Sequence, residues 1–555
     1  MKRQKLARAN PVLKKTRSIK DCSTGNWSYE FQIVQIDGRR THALVTADDA
    51  ADATLLVKRL RAKGALLPLE KAARVRLIES VMRAKPEKVI YQLANPGWQI
   101  RGSNPLFFSC GRYVVGAPTG AIEYSPPLFI EQSRVKRFAV RGTLEAWKAR
   151  VAKKALLSTS LTAIMAAAFA APLARPSGLQ NFSLHLSGPT RVGKTTELIA
   201  AMSVFGFGNE SDLPTWSATA LRLLEAATAF GDIVFPLNEV GAKKGRRAQT
   251  YEGLRDLYAQ YAEGSDIERH SRYAAEHGGA RRFHGICIST AEHSIAEYAE
   301  MAGEARDGGE LFRAIDVSAI RKGTTTIFDL APPNLVPLAE LQELRRAMAE
   351  CHGTAWTPYI EYLIEMGRIE VKRRTLALMK EFVDHMPEAA HDGVIRQIAM
   401  HFGLLYAGSI LAIESDVSPL TKNHVQKALT RAFRDAVEAS KPVDPLAKGL
   451  DTLRANLADK VVERKPSSTF GVKDHPGYWM RIGGKKVFVV HAHQFRAWFA
   501  NERQCNLVLG SLAAKSVSHR WPDGSLVRCF EFFDPFPETN RAVARKKLRR
   551  FKAWK

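Results

Sequence analysis

The residues best suited to chemistry lie in one short stretch, Gly188-Pro-Thr-Arg-Val-Gly-Lys-Thr195. It fits the phosphate-loop pattern G-x-x-x-x-G-K-[ST], in which backbone N–H groups surround the phosphates of a nucleotide. In this pattern Lys194 reaches the β- and γ-phosphates, and the hydroxyl of Thr195 holds Mg²⁺. The sequence therefore predicts a nucleotide site built from Gly188, Pro189, Thr190, Arg191, Val192, Gly193, Lys194, Thr195 and Thr196.

The elements on either side of the loop are those that such a site requires. An apolar run over 182–187 predicts a buried strand before the loop, and residues 196–203 predict a helix after it. Gly188 and Gly193 let the backbone turn, and the helix N-terminus adds a positive dipole end. A chance Gly-Lys-Thr in an ordinary strand–helix turn is the alternative, and the complete strand–loop–helix context argues against it.

Nucleotide hydrolysis also needs a metal-holding acid and a group that orients water. The apolar run after Asp232 ends in Asn238-Glu239, and Glu239 is the predicted residue that polarises the attacking water. Asn238 stands where an acid is usual, so it is a Mg²⁺ contact through water that brings no charge. Asp232 is the alternative acid if the strand is offset. Pro236 lacks a hydrogen-bond donor and fits a central strand poorly.

Two later segments supply further candidates for the nucleotide site. The apolar run 283–290 ends in Ser289 and Thr290, whose hydroxyls could contact the γ-phosphate or its water. Alternatively, they only satisfy backbone groups at a strand end. Arg313 comes just before another apolar run, from where an arginine can reach a neighbouring subunit's nucleotide.

The charge balance of the chain favours a polyanionic partner. Among 555 residues, 82 Lys and Arg face 56 Asp and Glu, which gives a net charge of +26. Nucleic acid is the first expectation and an anionic membrane the second.

The six cysteines form no C-x-x-C pair, so we expect a reducing cytoplasm and neither a zinc site nor a disulfide framework. The uncharged stretch 155–174 could span a bilayer by length, but its Ala, Ser and Thr content favours a buried helix.

Element patterns divide the chain into segments. We predict a basic arm (1–25), a small α/β domain (26–140), a nucleotide-binding core (141–332), a mostly helical segment (333–440), a winged-helix-like domain (446–540) and a basic tail (541–555). In the small domain, residues 27–34 alternate like a strand. The winged-helix-like domain is predicted from two helices and a hairpin, with the turn at 522–524 and the last strand over 526–533. The tail interleaves Phe551 and Trp554 with cations, which suits single-stranded nucleic acid. For both the arm and the tail, a solvated basic segment is the alternative.

Order and spacing resemble an AAA+ ATPase. More specifically, the chain resembles a bacterial family long catalogued as a domain of unknown function, found in phages, plasmids and resistance or pathogenicity islands. Some of its members are replicative helicases related to the MCM proteins. The resemblance covers roughly residues 95–435 and is carried by Gly142-Thr-Leu-Glu-Ala-Trp147, Ala171-Pro-Leu173, His185-Leu-Ser-Gly188, Ala201-Met-Ser-Val-Phe-Gly206, Trp216-Ser-Ala-Thr219, Asn238-Glu239, Ile288-Ser-Thr-Ala-Glu292, Gly309-Glu-Leu-Phe-Arg313-Ala-Ile-Asp316 and the helix that begins at Arg396.

The resemblance implies an α/β fold with an AAA+ P-loop core and a helical lid. It implies ATP and Mg²⁺ as ligands, DNA as partner, a ring that is a hexamer, and a cytoplasmic protein without a membrane. Thr290 or Ser289 would be the first sensor, Arg313 the arginine finger, and Arg396 a second sensor on the lid. A hairpin over 272–282 would bring Arg272, Arg281 and Arg282 to DNA in a central channel, and a plain basic surface loop is the alternative.

Two stretches depart from the family pattern. Asn238 weakens the expected metal contact, and Gly264-Ser-Asp-Ile-Glu-Arg269 replaces a Gly-Lys-Arg run near the DNA. The function hypothesis is an ATP-dependent DNA helicase, the replicative helicase of a mobile element. The alternatives are an AAA+ ATPase that loads or remodels proteins on DNA, and a nucleotide-gated initiator with little hydrolysis, which Asn238 would permit.

Overall fold

The computed structural model describes residues 13–22, 24–99, 107–117, 122–126, 138–214, 216, 219–240, 247–265, 282–321, 323–441, 445–463, 475–499, 502–521 and 525–536. The chain divides into two compact units. The first comprises Met1–Lys244, Gly253–Ser294 and Gly308–Ala439, and the second Gly245–Glu252, Ile295–Asp307 and Ser440–Lys555.

The strands are β1 (Leu13–Asp21), β2 (Trp27–Val34), β3 (Arg40–Thr46), β4 (Lys88–Gln92), β5 (Gly97–Gln99), β6 (Phe107–Cys110), β7 (Tyr113–Val115), β8 (Ile122–Ser125), β9 (Phe182–Ser187), β10 (Ile233–Leu237), β11 (Gly285–Ala291), β12 (Ala314–Ser318), β13 (Val461–Glu463), β14 (Gly477–Ile482), β15 (Lys485–His491), β16 (Lys515–Arg520) and β17 (Leu526–Phe533). The helices are α1 (Ala47–Ala51), α2 (Ala53–Ala62), α3 (Lys71–Arg83), α4 (Leu144–Arg150), α5 (Thr159–Ser177), α6 (Lys194–Ser203), α7 (Ala220–Ala227), α8 (Arg247–Glu263), α9 (Ile295–Ala302), α10 (Gly308–Arg313), α11 (Pro337–Glu350), α12 (Trp356–Met366), α13 (Arg368–Asp384), α14 (Gly393–Glu414), α15 (Lys422–Ser440), α16 (Pro445–Lys460), α17 (Ala492–Ala497) and α18 (Glu502–Ser511).

A five-stranded sheet in the order β3-β2-β1-β4-β8 forms the N-terminal part of the first unit. The apolar faces of α2 and α3 share one core with it, in which Leu60 and Ile78 join Phe31 and Ile33. The predicted strand over 27–34 is confirmed as β2. This part of the chain is therefore an α/β layer structure, as its mixed pattern predicts.

The prediction of a basic arm over 1–25 is wrong for residues 13–21, which form β1 between β2 and β4. Lys14 and Arg17 are exposed between buried positions of the strand. Lys14 and Arg17 pair with Glu87 and Glu30, respectively. The stem of Lys15 is buried, and its ammonium donates to the Met82 carbonyl at 2.7 Å. Composition alone hides this pairing, because every acid involved is distant in sequence. Residues 1–12 lie outside the described residues.

The core of the first unit is a parallel sheet in the order β10-β11-β9-β12. β9, β10 and β11 are buried along their whole length, which fits their continuous apolar runs. In the described part of the chain β10 is the outer strand of this sheet. Pro236 is tolerated there because an outer strand can lack a ladder donor.

Helix α5 lies against the core sheet and the loop helix α6. It covers most of the uncharged stretch 155–174, and nearly all of its side chains are buried, so the predicted buried helix is confirmed. Among the described helices, α14 alone is long and apolar enough to cross a membrane, but most of it is buried inside the first unit, against α5 and α13. The predicted helical character of 333–440 is confirmed by α11 to α15.

The second unit contains a five-stranded sheet in the order β13-β14-β15-β17-β16. Phe495 of α17 and Val508 of α18 share a buried core with Phe488 and Phe530 of the sheet. The predicted last strand, Leu526–Phe533, is confirmed, whereas its predicted turn at 522–524 lies outside the described residues. Two helices and a hairpin are present as expected, but β13 and β14 enlarge the hairpin into a sheet.

Candidate nucleotide-binding site

The phosphate-loop stretch connects the end of β9 to the start of α6, as the sequence predicts. Gly193 has φ +124°, and a Cβ at this position would lie 2.9 Å from the Leu341 Cδ2 atom. Only glycine combines this backbone conformation with so close a neighbour. Glycine at position 193 therefore allows the turn that leads into the N-terminus of α6, where an anion site would lie.

A cavity of about 680 Å³ opens beside the loop. Its volume is in the range of small-molecule sites. The predicted residues that line it are Thr190, Arg191, Gly193, Lys194, Thr195, Glu239 and Thr290. They come from the loop, from α6 and from the carboxyl ends of β10 and β11, so the parallel sheet brings together segments a hundred residues apart.

Lys194 is the cation at the centre of the loop. Its Nζ atom donates to the carbonyls of Gly188 at 2.6 Å and Pro189 at 2.7 Å. Burial lowers the pKa of Lys194, and the nearby carboxylates of Glu292, Glu197 and Glu239 oppose that shift. An ammonium held by weak carbonyl acceptors in a half-buried site is suited to exchange them for charged phosphate oxygens.

Asn238 connects the loop to the two neighbouring strand ends. Its Oδ1 atom accepts from the hydroxyl of Thr195 at 3.2 Å and from that of Thr290 at 2.8 Å. The Thr290 hydroxyl also accepts from the Glu239 N–H at 2.9 Å. Glu239 has φ +58°, a costly conformation for a residue with a side chain, and its carboxylate lines the cavity. Four predicted residues thus form one hydrogen-bonded group.

Ser289 is not placed to contact a nucleotide, which corrects its prediction as a nucleotide ligand. Successive side chains of a strand point to opposite faces, so only one of Ser289 and Thr290 can face the cavity. The Ser289 hydroxyl is fully buried and bonds to His185 Nδ1 at 2.8 Å and to the Tyr258 hydroxyl at 2.6 Å. Of the two residues predicted as the first sensor, only Thr290 lines the cavity.

The alternative acid Asp232 lies at the opposite end of β10 from the cavity. It is buried, accepts from the Trp98 N–H at 2.8 Å and faces Arg175 at 3.5 Å. Burial raises the pKa of Asp232 to about 6, against the lowering effect of Arg175. Asp232 therefore anchors β5 to the core, and the offset-strand hypothesis is wrong.

The remaining loop residues and the two predicted arginines lie outside the cavity wall. Val192 is buried, and Thr196 accepts from Arg345 Nε at 2.8 Å. Arg313 is exposed at the end of α10, and Arg396 is exposed in the first turn of α14. Neither lines the cavity of its own chain.

Several cavity residues were missed by the sequence reasoning. Arg345 and Gln342, on α11, lie one turn apart and face the cavity together with Leu338 and Leu341. Glu292 follows β11 and accepts from the Thr190 hydroxyl. No motif marks α11, but its apolar and polar residues at a spacing of three to four could have indicated a covering helix. Glu210 is a second acidic residue of the cavity that the sequence reasoning missed, and no pattern around it in the sequence indicates its position.

The donors present fit Mg²⁺ only in combination with phosphate. No group of three or more His, Cys, Asp or Glu side chains that could hold a metal ion occurs in the described part of the chain. Mg²⁺ commonly retains waters and binds through one or two carboxylates plus substrate phosphates. The hydroxyl of Thr195 with Asn238, Glu239 and Glu210 nearby meets that description.

Two predicted DNA-contact segments fall mainly outside the described residues. Arg272, Arg281 and the tail 541–555 lie outside the described residues. Arg282 is described, and it pairs with Ser265 in an isolated antiparallel bridge. The bridge joins positions 265 and 282, and the predicted hairpin over 272–282 falls between them in sequence.

Comparison with known proteins finds one family model over part of the chain and a solved structure with a similar fold. A family model, described as a domain of unknown function (DUF927), matches residues 7–254. No curated protein matches the chain. Among solved structures, the SCCmec type IV Cch protein, described as an active helicase, aligns with a TM-score of 0.55 and 13% identity, covering 94% of this chain and 93% of that one. The chain thus shares the fold of that protein over nearly its full length.

Proposed function

We propose that this protein is an ATP-dependent DNA helicase or translocase, the replicative helicase of a mobile genetic element. The observation that carries the proposal is the hydrogen-bonded group of Thr195, Asn238, Glu239 and Thr290 beside a phosphate loop. A loop alone supports phosphate binding, whereas a carboxylate at the adjacent strand end also supports hydrolysis. The sheet order β10-β11-β9-β12 and the fold of a helicase from a mobile element support the AAA+ assignment.

The residues divide the work of hydrolysis by position. Lys194 exchanges its loop carbonyls for the β- and γ-phosphates. Glu239 has a left-handed backbone whose N–H donates to the Thr290 hydroxyl, and its carboxylate, which lines the cavity, orients the attacking water. Thr195 and Asn238 would hold Mg²⁺, which would supply positive charge against the phosphates. Arg345, which donates to Thr196 just after the loop, adds a cation to the cavity wall.

Arg313 acts in this scheme on the nucleotide of a neighbouring subunit. It is exposed and lies outside its own cavity, so it is available to another chain. A ring of identical subunits joined head to tail repeats one such contact at every boundary. We take the ring to be a hexamer in the cytoplasm, with single-stranded or forked DNA in its channel. The net charge of +26 supports a nucleic-acid partner.

ATP turnover with and without single-stranded DNA tests the proposal. We expect turnover by the natural protein, stimulated by DNA, and its loss in Lys194→Ala with little change in thermal stability. Lys427→Ala, which removes an exposed lysine from α15, is the matched control and should keep full activity. A folded Lys194→Ala protein that hydrolyses ATP at the natural rate would overturn the site. Binding without turnover in the natural protein would instead favour the nucleotide-gated initiator, which the uncharged Asn238 permits.

A further inference from the structure

Asn238 uses both ends of its amide. The carbonyl end accepts from Thr195 and Thr290, and the Nδ2 end donates to the Oε1 atom of Glu210 at 3.4 Å. The side chain is only 3% exposed, so these partners determine what position 238 can hold. An aspartate could replace the acceptor end, but it would place a second carboxylate against Glu210. An amide is the side chain that accepts on one side and donates on the other.

Glu210 is fixed at the same corner of the cavity. It begins a short 3-10 helix, Glu210–Asp212, and the chain that follows is tied to β10 by a hydrogen bond from the Asn238 N–H to the Pro214 carbonyl at 3.0 Å. Its side chain lines the cavity together with Thr195 and Glu239. A negative charge therefore lies directly beside the position where the sequence lacks one.

We propose that Glu210 supplies, through Asn238, the negative charge that position 238 lacks toward the Mg²⁺ of a bound nucleotide. The proposal rests on the proposed nucleotide site. Asn238 acts as the positioning residue, because its amide orients Glu210 on one side and the Thr195 hydroxyl on the other. A carboxylate that reaches the waters of Mg²⁺ is sufficient, since this ion keeps part of its water shell. The pair Glu210 and Asn238 thus takes the place of one aspartate.

The test is a Mg²⁺ titration of the binding of a non-hydrolysable fluorescent ATP analogue, which reads affinity rather than turnover. Glu210→Gln should raise the Mg²⁺ concentration at half-maximal binding by roughly tenfold, the effect expected for one charge facing a divalent ion in a solvent-accessible site. Asp212→Asn removes a carboxylate from the same short helix, outside the cavity wall, and should leave the midpoint unchanged.

A charge-swap variant separates this role from a merely structural one. In Asn238→Asp with Glu210→Gln, the charge moves to position 238, and the glutamine can donate to it. We expect the midpoint to return to within about twofold of the natural protein, as for coupled neighbours in a double-mutant cycle. A variant that only disturbed packing would not recover when a substitution is added at the buried position 238.

The outcomes distinguish the two proposals. An unchanged midpoint in Glu210→Gln, or a double variant no better than it, overturns the role of Glu210 while Lys194→Ala still loses nucleotide binding. If Lys194→Ala binds the analogue as the natural protein does, the nucleotide site itself is wrong, and the role of Glu210 fails with it.

Discussion

Arg313 offers the sharpest prediction about how subunits share a site. It is exposed outside its own cavity and in the proposed ring it acts on a neighbour's nucleotide, whereas Glu239 lines the cavity of its own chain. Arg313→Ala and Glu239→Gln should each remove most ATP turnover in assembled rings. For the arginine the loss should be about 10³-fold or more, the size found when such a finger is withdrawn.

Mixing the two inactive proteins should restore activity. An interface is intact when one subunit keeps Glu239 and the next keeps Arg313. In an equal random mixture each condition holds for half of the subunits, so about one quarter of the interfaces of a closed ring are intact, whatever its size. Turnover near one quarter of the natural rate is therefore expected from two proteins that are separately almost inactive.

The assay is steady-state ATP turnover after co-assembly, with mixed rings demonstrated by differently tagged subunits. Lys194→Ala mixed with Glu239→Gln is the matched control, because both substitutions damage the same half of the site and leave no interface intact. No recovery with Arg313→Ala in proven mixed rings, or equal recovery in the control, would refute the shared site.

Three further predictions follow from single positions or segments. Asn238→Asp should lower the Mg²⁺ requirement for ATP turnover without abolishing it, because the added charge lies beside Thr195; identical Mg²⁺ midpoints would show that position 238 does not touch the metal shell. Deleting 541–555 should weaken DNA binding and flatten its salt dependence, because phosphate contacts release counterions; an unaltered affinity and salt slope would make the tail a solvated appendage. Relative to the natural protein, Asp232→Asn should gain up to about 3 kcal/mol of stability as pH rises from about 4 to 6.5, because the buried Asp232 carboxyl stays protonated up to a pKa of about 6 in the folded protein but ionises near pH 3.8 in the unfolded chain. Melting temperatures of both proteins across that range test this, and a difference that does not change with pH would contradict it.

The strand, loop and helix of the phosphate site could be predicted because their signals are local. An apolar run, two glycines and a Lys-Thr pair specify the segment 182–203 without reference to the rest of the chain. The positions of Thr290 and Glu239 in the site could also be predicted from the sequence, because the carboxyl ends of parallel strands meet at one edge of a sheet. The sequence could not decide between Ser289 and Thr290, because that choice depends on which face of β11 meets His185 and Tyr258.

The missed features depend on contacts between distant segments. β1 was taken for a basic arm because Lys14 and Arg17 find their acids on other elements. Arg345 comes from a helix more than a hundred residues beyond the loop, and Glu210 becomes significant only through the amide of Asn238. Sequence spacing cannot show which helix covers a cavity, since that depends on packing of the complete unit.

Strand displacement on forked DNA tests the central claim most directly. We expect the natural protein to separate a labelled fork with ATP and Mg²⁺, and both Lys194→Ala and Glu239→Gln to fail although they remain folded and assembled. Forks with a single-stranded arm of either polarity should be offered, so that the direction of movement does not decide the result. ATP turnover stimulated by DNA, with no separation of either fork, would contradict a helicase and favour an ATPase that loads or remodels proteins on DNA.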